Sequence, residues 1–375
     1  MKYAIYGAGS LGIVLAAKLR NATGEEVIVI DRNPKSVDAL NKNGAIVVGT
    51  TKMTEKITAI LDTNVEDKYD IIFLMTKQLG NKETVQKISH FLTKEGIICT
   101  MQNGLPEQEI ADIIGAERTF GCAVGWGATR LEPGVSELTS PSSPESLSFN
   151  IGSYSGSHSI YLDEIKRILS YMGNVSIDEN FIGGRWAKIL INSALSGTNA
   201  VCGSTFGDIV DNKGSREIIL RVFKEGINVA HSANIKIEKI QGKDLSMLLD
   251  YHNSLMKQIC YSAIIPIGFR KVKKLKASML QDIEKGIPTE VDYINGIVCN
   301  FGKKYNCPTP FNDKIVEIIH KVEKKELSPS FDNIKLFDDI VKSPEKGVTQ
   351  INTKVLFIVL TCIIVLVICL FVKSK

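Results

Sequence analysis

The sequence predicts an α/β protein, in which a doubly wound parallel sheet is followed by an all-helical domain and a C-terminal transmembrane helix. Short apolar strands alternate with helices over about the first 125 residues, a pattern typical of a parallel sheet covered on both faces. Helical periodicity then runs from Ser159 to about Lys325. An uncharged apolar run, Val355 to Val372, lies near the C-terminus.

The alternating part contains five predicted strands and four predicted helices. The strands are Tyr3–Tyr6, Val27–Ile30, Ile71–Met75, Gly96–Met101 and Phe120–Val124, and the helices are Leu11–Arg20, Ser36–Lys42, Lys82–Leu92 and Pro106–Ile114. Residues 126–155 are polar and β-rich, with glycine and proline as breakers.

A chain of 375 residues is longer than a single hydrophobic core usually supports, so two domains are expected. Because a G-x-G-x-x-G motif follows the first predicted strand, we predict a dinucleotide-binding domain over 1–155. A helical substrate or dimerisation domain over 156–326, an extended tether over 327–353 and a membrane anchor over 354–375 are expected to follow it.

Composition excludes several classes of protein. The net charge of +4 is spread along the chain, which argues against nucleic-acid binding. The eight cysteines include no C-x-x-C pair, and the five histidines are scattered without metal-ligand spacing. We therefore expect neither a metal site nor a disulfide framework, and free thiols point to a reducing compartment.

The run Val355–Val372 predicts the membrane anchor. Eighteen helical residues span about 27 Å, close to the roughly 30 Å hydrocarbon core of a bilayer. The alternative is a buried or dimer-forming helix. The nucleotide-binding part requires a cytosolic cofactor, so we expect a single-pass tail anchor with the catalytic part in the cytoplasm.

The strongest motif lies at the N-terminus, where the first strand runs into G-x-G-x-x-G. Gly7 allows a tight turn, Gly9 lets a pyrophosphate approach the backbone, and Gly12 lets the helix pack on the strand. With these glycines, Ser10 and Leu11 offer the helix N-terminus to the anion. A second strand ending about twenty residues later favours a dinucleotide site over a glycine turn that binds nothing.

The residues after the second strand bear on the choice of cofactor. Asp31 suits the ribose 2′-hydroxyl of NAD and repels a 2′-phosphate, unless it points away from the nucleotide, whereas Arg32 suits the 2′-phosphate of NADP. Both signals are present.

Two further strand ends have polar residues, Lys77 in Thr76-Lys-Gln and Asn103 in Gln102-Asn-Gly. Ligands bind outside the carboxyl ends of strands in open parallel sheets, so both are site candidates. The alternatives are a solvated loop lysine and a turn asparagine before glycine.

The segment Arg185–Asn199 predicts a helix with an unusual polar face. Lys188 and Asn192 lie four residues apart, and Ser196 and Asn199 continue that face. A partly desolvated lysine there could serve as a general acid, the alternative being a structural polar seam between helices. Ser278, in S-M-L-Q-D, and Glu290, in T-E-V-D-Y-I-N-G, could complete a polar pocket; Glu290 alone could simply be a helix N-terminal acid.

Over roughly residues 1–320 the sequence resembles the ketopantoate reductase family. The resemblance rests on G-A-G-S-L-G, T-K-Q, Q-N-G, K-I-L-I-N, S-M-L-Q-D and T-E-V-D-Y-I-N-G. It implies a Rossmann domain joined to a helical domain like that of 6-phosphogluconate dehydrogenase. It also implies hydride transfer from NADPH to the C2 ketone of 2-dehydropantoate, which gives pantoate for coenzyme A synthesis.

By this resemblance Lys188 is the general acid and Glu290 binds the terminal hydroxyl of the substrate. Asn192 and Ser278 resemble substrate ligands, and Lys77 and Asn103 resemble active-site residues in the cleft at the domain junction. Ser196 departs from the pattern, because many members have asparagine there, and Asn199 could compensate.

We therefore expect NADPH-dependent reduction of 2-dehydropantoate, with NADH as a possible second cofactor. The expected partners are a small 2-oxoacid, a membrane through residues 355–372 and a possible homodimer. The alternatives are a reductase of another 2-oxoacid or carbonyl compound, and a membrane-held NADP(H)-binding sensor or interaction protein.

Overall fold

The computed structural model describes residues 1–157, 159–240, 242–269, 273–343 and 347–349. The chain divides into two compact units, Met1–Ile189 and a second unit that begins at Leu190. The predicted domain boundary near residue 155 stays a prediction.

The first unit contains twelve strands among its described residues. They are β1 Tyr3–Tyr6, β2 Ile28–Asp31, β3 Ala45–Gly49, β4 Met53–Glu55, β5 Thr58–Leu61, β6 Tyr69–Leu74, β7 Leu92–Thr100, β8 Thr119–Val124, β9 Ala128–Glu132, β10 Val135–Leu138, β11 Phe149–Ser153 and β12 Val175–Ile177.

Eight of these strands form one sheet in the order β12-β11-β8-β7-β6-β1-β2-β5. The six strands from β8 to β5 in this order pair in parallel, and Ile5 of β1 lies opposite both Val29 and Phe73. Strand β11 is antiparallel to β8. The predicted doubly wound parallel sheet is confirmed, and the carboxyl ends of β1, β6, β7 and β8 lie at one edge.

Helices cover both faces of this sheet. They are α1 Ser10–Thr23, α2 Pro34–Asn43, α3 Asn81–Ser89, α4 Glu107–Ile114, α5 Ile160–Ser170 and α6 Phe181–Ile191. Alternate residues of β1 serve the two faces: Ile5 packs in the core cluster that includes α1 and α5, whereas Ala4 and Tyr6 pack in the cluster that includes α3 and α4. This alternation is the period of two that a strand imposes.

A second sheet, in the order β4-β3-β10-β9, combines strands from two distant stretches. The β-rich interpretation of residues 126–155 is confirmed by β9, β10 and β11. The prediction missed β3, β4, β5 and β12, the last of which lies in the stretch expected to be helical from Ser159. These strands have only three to five residues and are only partly buried, so they lack a long apolar run.

The described residues of the second unit form helices joined by loops, with two isolated β-bridges, Ile240 to Lys243 and Asn253 to Thr349. Its α-helices are α7 Thr198–Cys202, α8 Phe206–Asp211, α9 Lys213–Ser232, α10 Leu245–Leu249, α11 Ser254–Ile259, α12 Ile265–Gly268, α13 Ser278–Glu284, α14 Val291–Lys304, α15 Pro310–Glu323 and α16 Asp338–Val341. Two π-helical turns, Asn192–Gly197 and Cys260–Ile264, interrupt the α-helical geometry.

The extended tether predicted over 327–353 is corrected for residues 328–341. A 3₁₀-helix, Phe331–Phe337, packs against other helices of the second unit: Phe337 is fully buried and stacks on Phe311 at 6.0 Å between ring centroids. The side-chain amide of Asn333 donates to the carbonyl of Val201 at 3.0 Å. The Ser-Pro pairs suggested a linker, but a buried aromatic ring and a hydrogen-bonded amide hold part of this segment against the rest of the unit.

The predicted C-terminal transmembrane helix is also corrected. Within the ranges that the structure describes, no helix is both long and apolar enough to cross a membrane. The run Val355–Val372, on which the prediction rested, lies outside those ranges. An uncharged run meets the length requirement of a span without by itself fixing a helix. The fold class therefore keeps the sheet domain and the helical domain, and the transmembrane helix, the tail anchor and the membrane partner are withdrawn.

Candidate active site

The glycine turn between β1 and α1 has the geometry of a phosphate cradle. Gly7 has φ +118°, and a Cβ there would lie 3.0 Å from the backbone of Met75 and Thr76. A Cβ on Gly12 would overlap the carbonyl oxygen of Gly7, so only glycine lets α1 begin so close to β1. A Cβ on Gly9 would meet only the Met75 oxygen, at 3.9 Å, which leaves the space in front of Gly9 open. The residues fit a bound pyrophosphate at the α1 N-terminus.

Asp31 is tied to the same turn. Its Oδ2 accepts a hydrogen bond from the amide of Ala8 at 2.5 Å, and its Oδ1 accepts one from the amide of Asn33 at 2.7 Å. The carboxylate thus braces the glycine turn and the start of α2. Arg32 follows it with an exposed side chain at the same end of β2.

The loops that contain Lys77 and Asn103 are bonded to each other. The side-chain amide of Gln78 donates to the carbonyl of Asn103. The amide of Gln102 donates to Asn81 at 2.9 Å and lies 3.4 Å from the carbonyl of Lys77. Lys77 and Asn103 are both half-buried. The structure therefore brings these two predicted residues to neighbouring loops at the carboxyl edge of the sheet.

Lys188 reaches the same edge from α6. Its Nζ donates to the carbonyl of Val124, the last residue of β8, at 2.9 Å. The residue is half-buried, so it is partly withdrawn from solvent. A lysine in this setting is suited to hydrogen-bond and protonate a carbonyl oxygen.

Sequence reasoning missed the ion pair between Arg185 and Glu107. Both side chains are 1% exposed, and Arg185 Nε donates to Glu107 Oε1 at 2.8 Å. Burial raises the pKa of Glu107, and the Arg185 guanidinium counteracts that rise. A basic residue three positions before Lys188 was the available signal, but nothing in the sequence says that its partner lies 78 residues away.

In the second unit, the π-helical turn Asn192–Gly197 contains two predicted residues. Asn192 is half-buried and Ser196 is buried. A π-helical turn widens the helix locally, and such turns occur frequently at functional sites. This turn follows α6 directly, so it extends the chain from the helix of Lys188.

Asn199 lies next to the start of α13. Its Oδ1 accepts a hydrogen bond from the amide of Ala277 at 3.1 Å, and its Nδ2 donates to the carbonyl of Ser204. Ala277 precedes Ser278, the first residue of α13. Asn199 therefore fixes the backbone that presents Ser278.

Glu290 is 8% exposed and precedes α14 directly. The neighbouring Thr289 donates through both its amide, at 2.8 Å, and its hydroxyl, at 2.7 Å, to Glu323 Oε1 on α15. This pair of bonds fixes the turn on which Glu290 stands.

A buried polar chain links the π-helical turn to α15. Asn295 Nδ2 donates to the carbonyl of Ser193 at 3.1 Å and to Asn312 Oδ1 at 3.0 Å. Asn312 Nδ2 donates to Glu225 Oε2 at 2.8 Å, and Glu225 also accepts from the amides of Phe311 and Asn312. Burial raises the pKa of Glu225 to about 7, although these N–H donors pull it back in part.

Comparison with known proteins places both units in one family. The model described as Ketopantoate reductase PanE/ApbA matches residues 3–152, and the one described as Ketopantoate reductase PanE/ApbA C terminal matches residues 180–323. The two matches together include every predicted site residue.

Individual proteins are similar over most of the chain. The 2-dehydropantoate 2-reductase of Pyrococcus horikoshii is 29% identical over 314 residues, which cover 83% of this chain and 94% of that protein. Among solved structures, D-mandelate dehydrogenase with NADH and anilino(oxo)acetate has TM-score 0.72 and 23% identity, covering 87% of this chain and 99% of that one. A dimeric ketopantoate reductase from Staphylococcus aureus has TM-score 0.67 and 16% identity, covering 87% and 100%.

Proposed function

We infer that this chain, which belongs to the ketopantoate reductase family, is an oxidoreductase that reduces 2-dehydropantoate to pantoate with NADPH. The observation that supports this most strongly is the position of Lys188. Its ammonium donates a hydrogen bond to the carbonyl of Val124 at the carboxyl end of β8, and the glycine turn after β1 lies at the same end of the sheet. A proton donor and a dinucleotide cradle on one edge are what carbonyl reduction requires.

Lys188 acts as the general acid of the reaction. NADPH, when bound at the glycine turn, would supply the hydride for C2 of the substrate. As the C=O electron pair moves onto the ketone oxygen, Lys188 Nζ donates a proton to it, and the oxygen becomes the hydroxyl of pantoate. The bond from Nζ to the Val124 carbonyl orients the ammonium before substrate arrives.

The first unit contributes the residues for the cofactor. Gly7, Gly9 and Gly12, with Ser10 and Leu11, receive the pyrophosphate, and Arg32 pairs with the 2′-phosphate. Lys77 and Asn103 hold the cofactor at the adjoining loops. Because both oxygens of Asp31 already accept backbone N–H groups, its charge is partly neutralised and NADPH is accommodated.

The second unit contributes the residues for the substrate. Glu290 accepts a hydrogen bond from the terminal hydroxyl, and Ser278 and Asn192 bind the substrate, Ser278 near its carboxylate. Ser196 lines the same site, and Asn199 acts through Ser278 by holding Ala277.

A second candidate keeps the reaction and changes the substrate to another branched 2-oxoacid or carbonyl compound. Ser196 favours it, because a serine hydroxyl is shorter than the asparagine amide that many family members have there. The space that it leaves suits a bulkier substituent.

The test is NADPH oxidation by the purified chain against a panel of 2-oxoacids, which includes ketopantoate and an analogue without the terminal hydroxyl. We expect kcat/KM to be highest for ketopantoate, and Glu290→Ala to remove that advantage while sparing the analogue. A higher kcat/KM for a bulkier 2-oxoacid than for ketopantoate would support the second candidate. Turnover of none would favour a cofactor-binding sensor.

We also propose that the chain forms a homodimer, because the ketopantoate reductase of Staphylococcus aureus, which shares its fold, is dimeric. Sedimentation equilibrium tests this directly, and a single species of monomer mass would contradict it.

A further inference from the structure

The buried guanidinium of Arg185 links three elements of the first unit. Besides Glu107, at the start of α4, it donates from one terminal nitrogen to the carbonyl of Gln102 at 2.6 Å and from the other to the carbonyl of Thr100 at 3.2 Å. Thr100 ends β7, and Gln102 precedes Asn103. One side chain thus fixes the loop that presents Asn103.

Arg185 and Lys188 fix α6 at two points. They are three residues apart on one helix, about 4.5 Å along its axis, and they bond the ends of neighbouring parallel strands, β7 and β8. These bonds therefore fix the orientation of α6 relative to the carboxyl ends of the strands, where the proposed function has cofactor and substrate bind.

The sheet makes room for this arrangement. Gly121 on β8 and Gly152 on β11 are paired in register. A Cβ on either glycine would overlap the ring of Phe181, and a Cβ on Gly121 would also overlap the Glu107 carboxylate. The guanidinium of Arg185 lies 5.1 Å from the centroid of the same Phe181 ring. The Phe181 ring at the start of α6 thus occupies the space that the two glycines leave on the sheet.

We propose that Arg185 is a positioning residue for the reaction, which holds the Asn103 loop and the Lys188 helix in one fixed relation. The proposal rests on the proposed function, in which Lys188 donates the proton. An arginine suits this task because its planar guanidinium holds five N–H donors in a rigid fork, which here reach a carboxylate and two carbonyls at once. Small displacements of catalytic groups reduce rates steeply.

The test removes the ion pair without leaving a buried charge. Arg185→Met alone would strand the Glu107 carboxylate, whose Oε2 is buried with no hydrogen-bond partner among the described residues. The double variant Arg185→Met/Glu107→Leu replaces both charges by apolar groups, a change that proteins commonly tolerate. We expect it to fold and still bind NADPH, with a raised Kd because the Asn103 loop is no longer held, and with kcat lowered by about 10- to 100-fold. Arg185→Lys should recover part of that loss.

Arg118→Met is the matched control. Arg118 also donates to β7 carbonyls, Gly96 at 2.7 Å and Thr93 at 3.4 Å, but toward the opposite end of the strand. We expect its kcat to stay at the wild-type value. A double variant with wild-type kcat, or an equal loss of kcat in Arg118→Met, would overturn the positioning role.

Hydrogen exchange provides a readout that does not depend on turnover. The amides of residues 101–104 should exchange faster in the double variant than in the wild type, and unchanged exchange would contradict the proposal. If the wild type reduces no 2-oxoacid, the proposed function fails, while the exchange result still decides whether Arg185 fixes this loop.

Discussion

Lys188 is the residue whose change should affect the chemical step most directly. Lys188→Ala removes the proton donor, and a general acid typically contributes about 10²–10⁴-fold. We expect kcat to fall by that factor while NADPH binding, followed by fluorescence titration, is retained. Lys166→Ala, on the exposed face of α5, should leave kcat unchanged. An unaltered kcat in Lys188→Ala would remove this residue from the mechanism.

Arg32 should determine the preference between cofactors. A charge-assisted bond to the 2′-phosphate is available only with NADPH, so Arg32→Ala should raise Kd for NADPH by about tenfold or more and change Kd for NADH little. Calorimetric titration of both cofactors checks this, with the exposed Lys35→Ala on α2 as control. Equal weakening for both cofactors would show that Arg32 does not read the phosphate.

At the scale of single residues, the spacing of motifs predicted only local geometry. The crowding that requires Gly7 and Gly12 follows from G-x-G-x-x-G, and the structure shows it. The hydrogen bonds by which Asp31 holds the turn could not be predicted from the motif, because a carboxylate after β2 suits either a ribose or a backbone amide. The Arg185–Glu107 pair did not follow either, since it depends on the packing of α6 against α4.

The titration of Glu225, which lies on α9 and accepts hydrogen bonds from the N-terminal amides of α15, should make the free energy of unfolding depend on pH. Its folded-state pKa is raised to about 7 from an ordinary value of 4.5, so the folded state binds its proton more tightly than the unfolded chain. That contribution to stability is complete below pH of about 4.5 and is lost as pH rises to about 7. Glu225→Gln should flatten the fall in unfolding free energy across this window, measured by urea denaturation at a series of pH values.

A control for this experiment lies on α15, the helix whose N-terminal amides donate to Glu225. Glu317 is half exposed, and its pKa is lowered by hydrogen bonds from Lys314 and Lys321. Glu317→Gln should leave the slope between pH 4.5 and 7 nearly as in the wild type. A Glu225→Gln protein with the wild-type slope would contradict the assignment.

The 3₁₀-helix Phe331–Phe337 should contribute to the stability of the second unit. Phe337→Ala removes a fully buried ring that stacks on Phe311, and such truncations cost about 3–5 kcal/mol. Leu336→Ala, at a residue 45% exposed, should cost far less. Equal unfolding free energies for the two variants would mean that this segment does not stabilise the unit.

Element predictions succeeded where an apolar segment was bounded by a recognisable motif, as at the glycine turn between β1 and α1. The strand Tyr3–Tyr6 was predicted with its observed bounds, and α1 begins one residue before the prediction. β7 starts at Leu92, four residues before the predicted strand, because Thr93, Lys94 and Glu95 conceal its beginning. The predicted helix Lys82–Leu92 ends earlier, at Ser89, because its last predicted residue, Leu92, is the first residue of β7.

On the scale of the whole molecule, the order of elements and the motifs together predicted the family. Alternating strands and helices indicated the doubly wound sheet, and the two most specific motifs, around Ser278 and Glu290, lie in the match to the C-terminal family model. The withdrawn transmembrane helix shows the limit of a composition argument, because hydropathy describes a segment without its surroundings.

The central claim is that hydride passes from NADPH to C2 of 2-dehydropantoate on this protein. The most direct measurement uses NADPH deuterated at the transferring position of nicotinamide C4, with mass and NMR analysis of the product. We expect pantoate that contains one deuterium, located at C2. Pantoate without deuterium, or no pantoate at all, would contradict the claim.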